Sequence, residues 1–106
     1  MKNLKTAVIL IGHGGLPSDI PSEIVENFMR LHKVRIKTGS KITKEEIELD
    51  RAIRLWKRTP ENDPYKAGLE SLASEMENYL DGFHIKTAYN EFCHPDIEDA
   101  VDELVK

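Results

Sequence analysis

A continuous apolar run rich in β-branched residues, Thr6-Ala7-Val8-Ile9-Leu10-Ile11, breaks off at Gly12-His13-Gly14-Gly15. Its length and composition predict a strand, and its lack of polar alternation predicts burial on both faces. Strands of that kind belong to parallel sheets whose crossover helices cover both sides. This one segment therefore predicts an α/β fold more directly than any other part of the chain.

The remaining elements follow from caps and periodicity. After Pro17 and Pro21, Ser22 is placed to cap a helix with Ile24, Val25, Phe28, Leu31 and His32 on one face, ending near Thr38-Gly39. Thr43 with Glu46 three residues later predicts a capping box, and Ile47, Ile53 and Trp56 then share a face until Pro60. Asp63 is an N-cap with Pro64 in the first helical position, and Tyr65, Leu69, Leu72, Met76 and Tyr79 or Leu80 form the stripe of a third helix closed by Asp81-Gly82. Phe83 to Tyr89 reads as a shorter, more polar strand. Asn90-Glu91-Phe92-Cys93-His94 is the loop beyond its carboxyl end, and Pro95 opens a last helix with Ile97, Ala100, Val101, Leu104 and Val105 inward. The order is that of a βαβα unit with a long helical insertion in its crossover, at about residues 40–62, within a single domain over residues 1–106. Two strands make a poor sheet, and the sequence stops inside a helix at Lys106. The expectation is that a third strand is missing or comes from another chain.

Several classes of function are set aside by composition. With 15 Lys and Arg against 19 Asp and Glu, the net charge of -4 offers no footprint for nucleic acid. The longest apolar stretch is far short of a membrane span, and the start, Met1-Lys2-Asn3-Leu4-Lys5, lacks the apolar core of a signal peptide. A cytoplasmic protein is expected. The single cysteine, Cys93, excludes an internal disulfide, and no Cys/His spacing suits structural zinc.

His13 stands where a parallel strand ends and the chain turns, the place where open α/β sheets bind ligands. Gly12, Gly14 and Gly15 leave room for a flat molecule or a metal to approach the imidazole. Glu91 holds the matching place after the second strand. On neighbouring parallel strands the pair would present an imidazole and a carboxylate over one crevice, a set able to hold a divalent ion and to accept protons. The plain alternatives are a loop histidine and an ordinary exposed loop carboxylate. As a phosphate cradle the glycine turn lacks the lysine of a P-loop and the spacing of GxGxxG. Cys93 and His94 are left out of the site, and His32 and His84 read as structural or solvent-facing. Trp56 with Arg54, Lys57 and Arg58 suits either a clasp for a flat acidic ligand or a helix end whose cations favour the dipole.

With these residues placed, the sequence resembles the sirohydrochlorin chelatase (CbiX-type) family, relatives of the cobalt chelatases of the anaerobic cobalamin pathway and of ferrochelatases. The matching pieces are Ala7-Val8-Ile9-Leu10-Ile11-Gly12-His13-Gly14-Gly15, then Ala88-Tyr89-Asn90-Glu91, then Pro95-Asp96-Ile97-Glu98-Asp99-Ala100. Arg58-Thr59-Pro60-Glu61-Asn62-Asp63-Pro64-Tyr65 is similar to an insertion of a chelatase-like subgroup. The resemblance implies a Rossmann-like fold, with His13 as the metal-binding and proton-accepting residue and Glu91 as an acidic group near the metal. It also implies Co²⁺ or Fe²⁺ as substrate, a sirohydrochlorin-type tetrapyrrole as partner molecule, no organic cofactor, and self-association or a complementing chain. Two departures stand out. Gly15 replaces a frequent serine, and the family's second histidine follows a third strand that this sequence does not contain. Two main readings remain open. One is a lyase-type chelatase of cobalamin or sirohaem biosynthesis, completed by further strands or a partner; the other is a non-catalytic metal-binding, tetrapyrrole-binding or assembly module. A phosphate or nucleotide binder is a third reading that lacks supporting residues.

Overall fold

The computed structural model describes residues 6–105. The readings made on Met1-Lys2-Asn3-Leu4-Lys5 and on Lys106 lie outside the described residues. The elements run β1 (Thr6–Gly12), α1 (Ser22–Thr38), α2 (Lys44–Arg54), α3 (Pro64–Tyr79), β2 (Phe83–Tyr89) and α4 (Ile97–Leu104). β1 and β2 pair in parallel from Thr6 opposite Phe83 to Gly12 opposite Tyr89. Among the described residues the protein is therefore a mixed α/β chain with four helices and a two-stranded parallel sheet, both strands ending at one edge.

Helix boundaries follow local chemistry, with some departures from the pattern read in sequence. α1 is preceded by Pro21 rather than capped by Ser22, which is its first helical residue, and no side chain caps it. It closes on Gly39 in the left-handed conformation, whose N–H donates to Arg35. At α2 the Thr43 hydroxyl accepts from the Glu46 N–H, but the Glu46 carboxylate turns away to Arg35, so only half of the expected capping box forms. α2 ends at Arg54, short of Pro60, and Trp56 lies beyond the helix, with its indole N–H donating to Asp19. Asp63 caps α3 over Pro64 as the sequence predicts. α4 is opened by Asp96, in a reciprocal box with Asp99, rather than by Pro95.

Burial departs further from pattern. β1 was expected to be covered on both faces, yet Ile11 is 53% exposed and no β1 residue except Gly12 is buried. A two-stranded sheet with helices on only part of its surface cannot enclose an edge strand. β2 carries the core instead, with Ile85, Ala88 and Tyr89 buried together with Ala73 of α3, Ala100 of α4 and Cys93. On α3 the buried position is Ala73, while Leu72 and Tyr79 are exposed; Val101 and Val105 are likewise exposed at the C-terminal end.

α3 and α4 pack on the strands, whereas α1 packs on α2 and neither of these two packs as an element on the sheet, α3 or α4. α1 and α2 thus form a hairpin that stands off the sheet, and the molecule as a whole is elongated, 53 × 30 × 18 Å. Phe28 and Ile53 are its buried apolar residues. Each contributes about 1.5–3 kcal/mol by leaving water. No helix among the described residues is long and apolar enough to cross a membrane.

Candidate functional site

The carboxyl ends of β1 and β2 do not splay apart. Beyond the last paired residues, the Asn90 N–H donates to the Gly12 carbonyl at 2.9 Å and the Glu91 N–H to the His13 carbonyl at 3.0 Å. Two successive amides meet two successive carbonyls, which a regular parallel ladder does not do, so both chains have left strand geometry while staying in contact. Gly14 makes this possible. It has φ +84°, and a Cβ there would lie 1.9 Å from the Glu91 carbonyl oxygen. Gly12 has a similar role toward α3, because a Cβ would lie 2.6 Å from the Tyr65 hydroxyl that accepts the His13 N–H. Gly15 faces open space, so it is not required for close approach.

A buried guanidinium then ties the loops to one another and to the hairpin. The Arg58 side chain is 6% exposed and pairs with Asp63, 4% exposed, at 2.6 Å. Its remaining N–H groups donate to the carbonyls of Gly15 at 2.8 Å, Ile53 at 2.8 Å, Phe92 at 2.5 Å and Trp56 at 3.2 Å. Only a planar fork with five donors can serve so many acceptors, which is why arginine and not lysine suits the position. Of the two readings of Arg58, the ligand clasp is corrected, and the helix-end cation holds in that the guanidinium donates to the Ile53 carbonyl in the last turn of α2. It is a buried cross-link between the glycine loop, the end of α2 and the loop after β2. Phe92 sits at φ 62°, a left-handed conformation for a bulky residue. That conformation costs about 1–2 kcal/mol, and Arg58 and the adjacent pairing hold it in place.

Glu91 and Phe92 form part of the wall of a cavity of about 440 Å³ whose other walls come from the hairpin. Its apolar lining is Phe28, Met29, Ile42 and Phe92, and its polar lining includes His32, Arg35, Glu46, Asp50 and Arg54. Most of the charges are already matched. Arg35 makes a bidentate contact to Glu46 through Nε, at 2.8 and 3.0 Å, with Nη2 at 2.9 Å, and His32 lies 3.4 Å from the same carboxylate. The Arg35 hydrogen bonds lower the Glu46 pKa despite burial, with a smaller contribution from His32. Arg54 makes a bidentate contact to Asp50 at 3.0 and 3.1 Å and approaches Asp96 at 3.6 Å. His32 also stacks on Phe28, with ring centroids 5.7 Å apart.

The structure places His13 and Glu91 side by side in the backbone at one sheet edge, both exposed, and neither side chain has a hydrogen-bond or ion-pair partner among the described residues. It does not put them in one cavity, since Glu91 lines the cavity and His13 does not. Among the described residues no three His, Cys, Asp or Glu side chains form a group able to hold a metal ion. His13 and Glu91 are therefore two donors, which would leave most coordination positions of an ion open. Cys93 is fully buried and burial pushes its thiol pKa up, which makes it a poor ligand. His94 lies against Asp99 and His84 against Glu77. The cavity on the hairpin side was not visible in the sequence reading. The available signal was Glu46, an acidic residue on the same helical face as Ile53, which a buried partner such as Arg35 would have explained.

The chain matches no family model, no curated protein and no solved structure.

Proposed function

We propose that the protein is a Rossmann-like, chelatase-type module that receives Co²⁺ or Fe²⁺ at His13 and Glu91 for insertion into a sirohydrochlorin-type tetrapyrrole. The reading rests on one observation, the 3.0 Å bond from the Glu91 N–H to the His13 carbonyl at the shared carboxyl edge of two parallel strands. It brings a nitrogen donor and a carboxylate onto adjacent loops with both side chains free. Insertion of a divalent ion replaces two pyrrole N–H protons. The imidazole of His13 ligates the ion as it arrives, and the Glu91 carboxylate accepts protons from the macrocycle and passes them to water. An ion held by few protein donors can be handed on, as a substrate metal must be. Among the described residues each strand keeps one unpaired edge, which supports a self-associated or complemented form.

The test is insertion of Co²⁺ into sirohydrochlorin under anaerobic conditions, followed by absorbance, beside calorimetric titration of Co²⁺ alone. Loss of both signals in His13→Ala supports the reading, and full insertion by that variant overturns it. A second reading, a metal- or tetrapyrrole-binding module without turnover, is favoured by the convergence of only two donors among the described residues. Binding of Co²⁺ and of the macrocycle without insertion would select it.

A further inference from the structure

The outer face of α2 ends in a shallow cleft of about 570 Å³ lined by Glu48, Arg51, Ala52, Leu55, Trp56 and Lys57. The first four stand at i, i+3, i+4 and i+7, on the side of the helix opposite the buried Glu46 and Ile53. Trp56 follows the helix with its ring fixed, because the indole N–H donates to Asp19 at 3.1 Å and the same carboxylate oxygen accepts from the buried Asn62 at 2.9 Å. Leu55 is 55% exposed. The exposed side chains of Arg51 and Lys57 have no ion-pair or hydrogen-bond partner among the described residues. An apolar floor between two unmatched cations is complementary to an apolar row beside carboxylates.

α4 presents that row. Ile97, Val101 and Val105 recur every fourth residue and are all exposed, and Glu98 and Asp102 stand one position further round the helix, exposed and without partners among the described residues. Within one chain the two patches adjoin, since the His94 N–H donates to the Arg54 carbonyl at 3.2 Å and Arg54 lies 3.6 Å from Asp96, the N-cap of α4. Even so, α4 does not pack on α2 of its own chain.

We infer that the cleft at the end of α2 receives α4 of a second copy, with Ile97 and Val101 against Leu55 and Trp56 and the Glu98 and Asp102 carboxylates on Arg51 and Lys57. Because the patches adjoin, one two-fold axis lets each copy fill the other's cleft, the self-complementary arrangement of a closed dimer. The contact joins helices rather than strand edges, and it does not rest on the metal reading at His13 and Glu91.

Trp56 is the single tryptophan of the sequence, so its emission reports on the cleft directly. In sedimentation equilibrium the full chain is expected to pass from monomer to dimer as concentration rises, with a blue shift of Trp56 emission as α4 excludes water from the indole. Arg51→Glu with Lys57→Glu, and separately Glu98→Lys with Asp102→Lys, place like charges across the contact, and each pair should raise the dissociation constant at least about tenfold. All four residues are exposed, so the fold is retained. Mixing the two double variants returns opposite charges to both contacts and should restore a dimer. Glu23→Lys with Glu26→Lys, on the exposed side of α1, alters net charge as much as the α4 pair and should neither weaken the dimer nor rescue the Arg51 and Lys57 variant. A monomer up to millimolar concentration, a dimer indifferent to both double variants, a mixture that stays monomeric, or rescue by the α1 control overturns the inference. Association with unchanged Trp56 emission overturns it too, and assigns the contact to the strand edges.

Discussion

At the carboxyl edge of the sheet the loops bearing His13 and Glu91 are joined through backbone groups and one buried guanidinium, whereas the α1–α2 hairpin is joined to itself by side chains, with Arg35 and His32 on Glu46. The difference is one of how much of each join rests on a titrating side chain, since the edge uses a carboxylate only in Asp63, one of five acceptors of Arg58. Peptide hydrogen bonds and an arginine keep their protonation across the accessible pH range, but a carboxylate does not. The edge is therefore built to hold two candidate ligands in fixed relation under most conditions. The hairpin, which walls the cavity, depends on a group that acid neutralises.

The sharpest way to break the edge is Arg58→Ala, which leaves Asp63 buried without its cation and removes the guanidinium donor from four carbonyls. A loss of about 3–5 kcal/mol is expected in urea denaturation. Arg58→Lys keeps the charge and should recover only part of this, because an ammonium cannot reach the same carbonyls together. Gly14→Ala comes next. It adds left-handed strain of about 1–2 kcal/mol and a clash with the Glu91 carbonyl oxygen, for a total near 2–4 kcal/mol, and it should separate the two loops enough to weaken Co²⁺ binding in calorimetry.

Acid should break the hairpin first. Arg35 holds the Glu46 carboxyl below its ordinary value of 4.5. A depressed carboxylate contributes stability that is present above its unfolded value and is lost as pH falls through the folded one. Hydrogen exchange should therefore show α2 amides losing protection below about pH 4.5 before β2 amides do. Glu46→Gln should remove that pH dependence while the edge keeps its protection. The smallest effect is expected at Gly15, which faces open space. Gly15→Ser should change stability by less than about 0.5 kcal/mol, in contrast to Gly14.

Much of this contrast was legible in the sequence at the edge and little of it in the hairpin. The run Thr6 to Ile11, the cap Asp63-Pro64 and the strand Phe83–Tyr89 are set by local propensity, and they appear where pattern places them. The adjacency of the two strand ends follows from their parallel pairing. Burial did not follow, because β1 looks internal by composition yet stands at a sheet edge with Ile11 half exposed. The role of Arg58 depends on carbonyls from Gly15, Ile53 and Phe92, which only the tertiary fold brings together. Glu46 satisfies the spacing of a capping box, but a guanidinium on the neighbouring helix wins its carboxylate. That choice is what builds the cavity wall beside Glu91.

The central claim is that His13 and Glu91 act on the same ion, and a double-mutant cycle in Co²⁺ calorimetry addresses it directly. The account predicts that His13→Ala and Glu91→Ala each weaken binding by at least about tenfold and that the double variant is little weaker than His13→Ala alone, as expected for ligands of one site. Losses that simply multiply, or Co²⁺ binding indifferent to either residue, would contradict it.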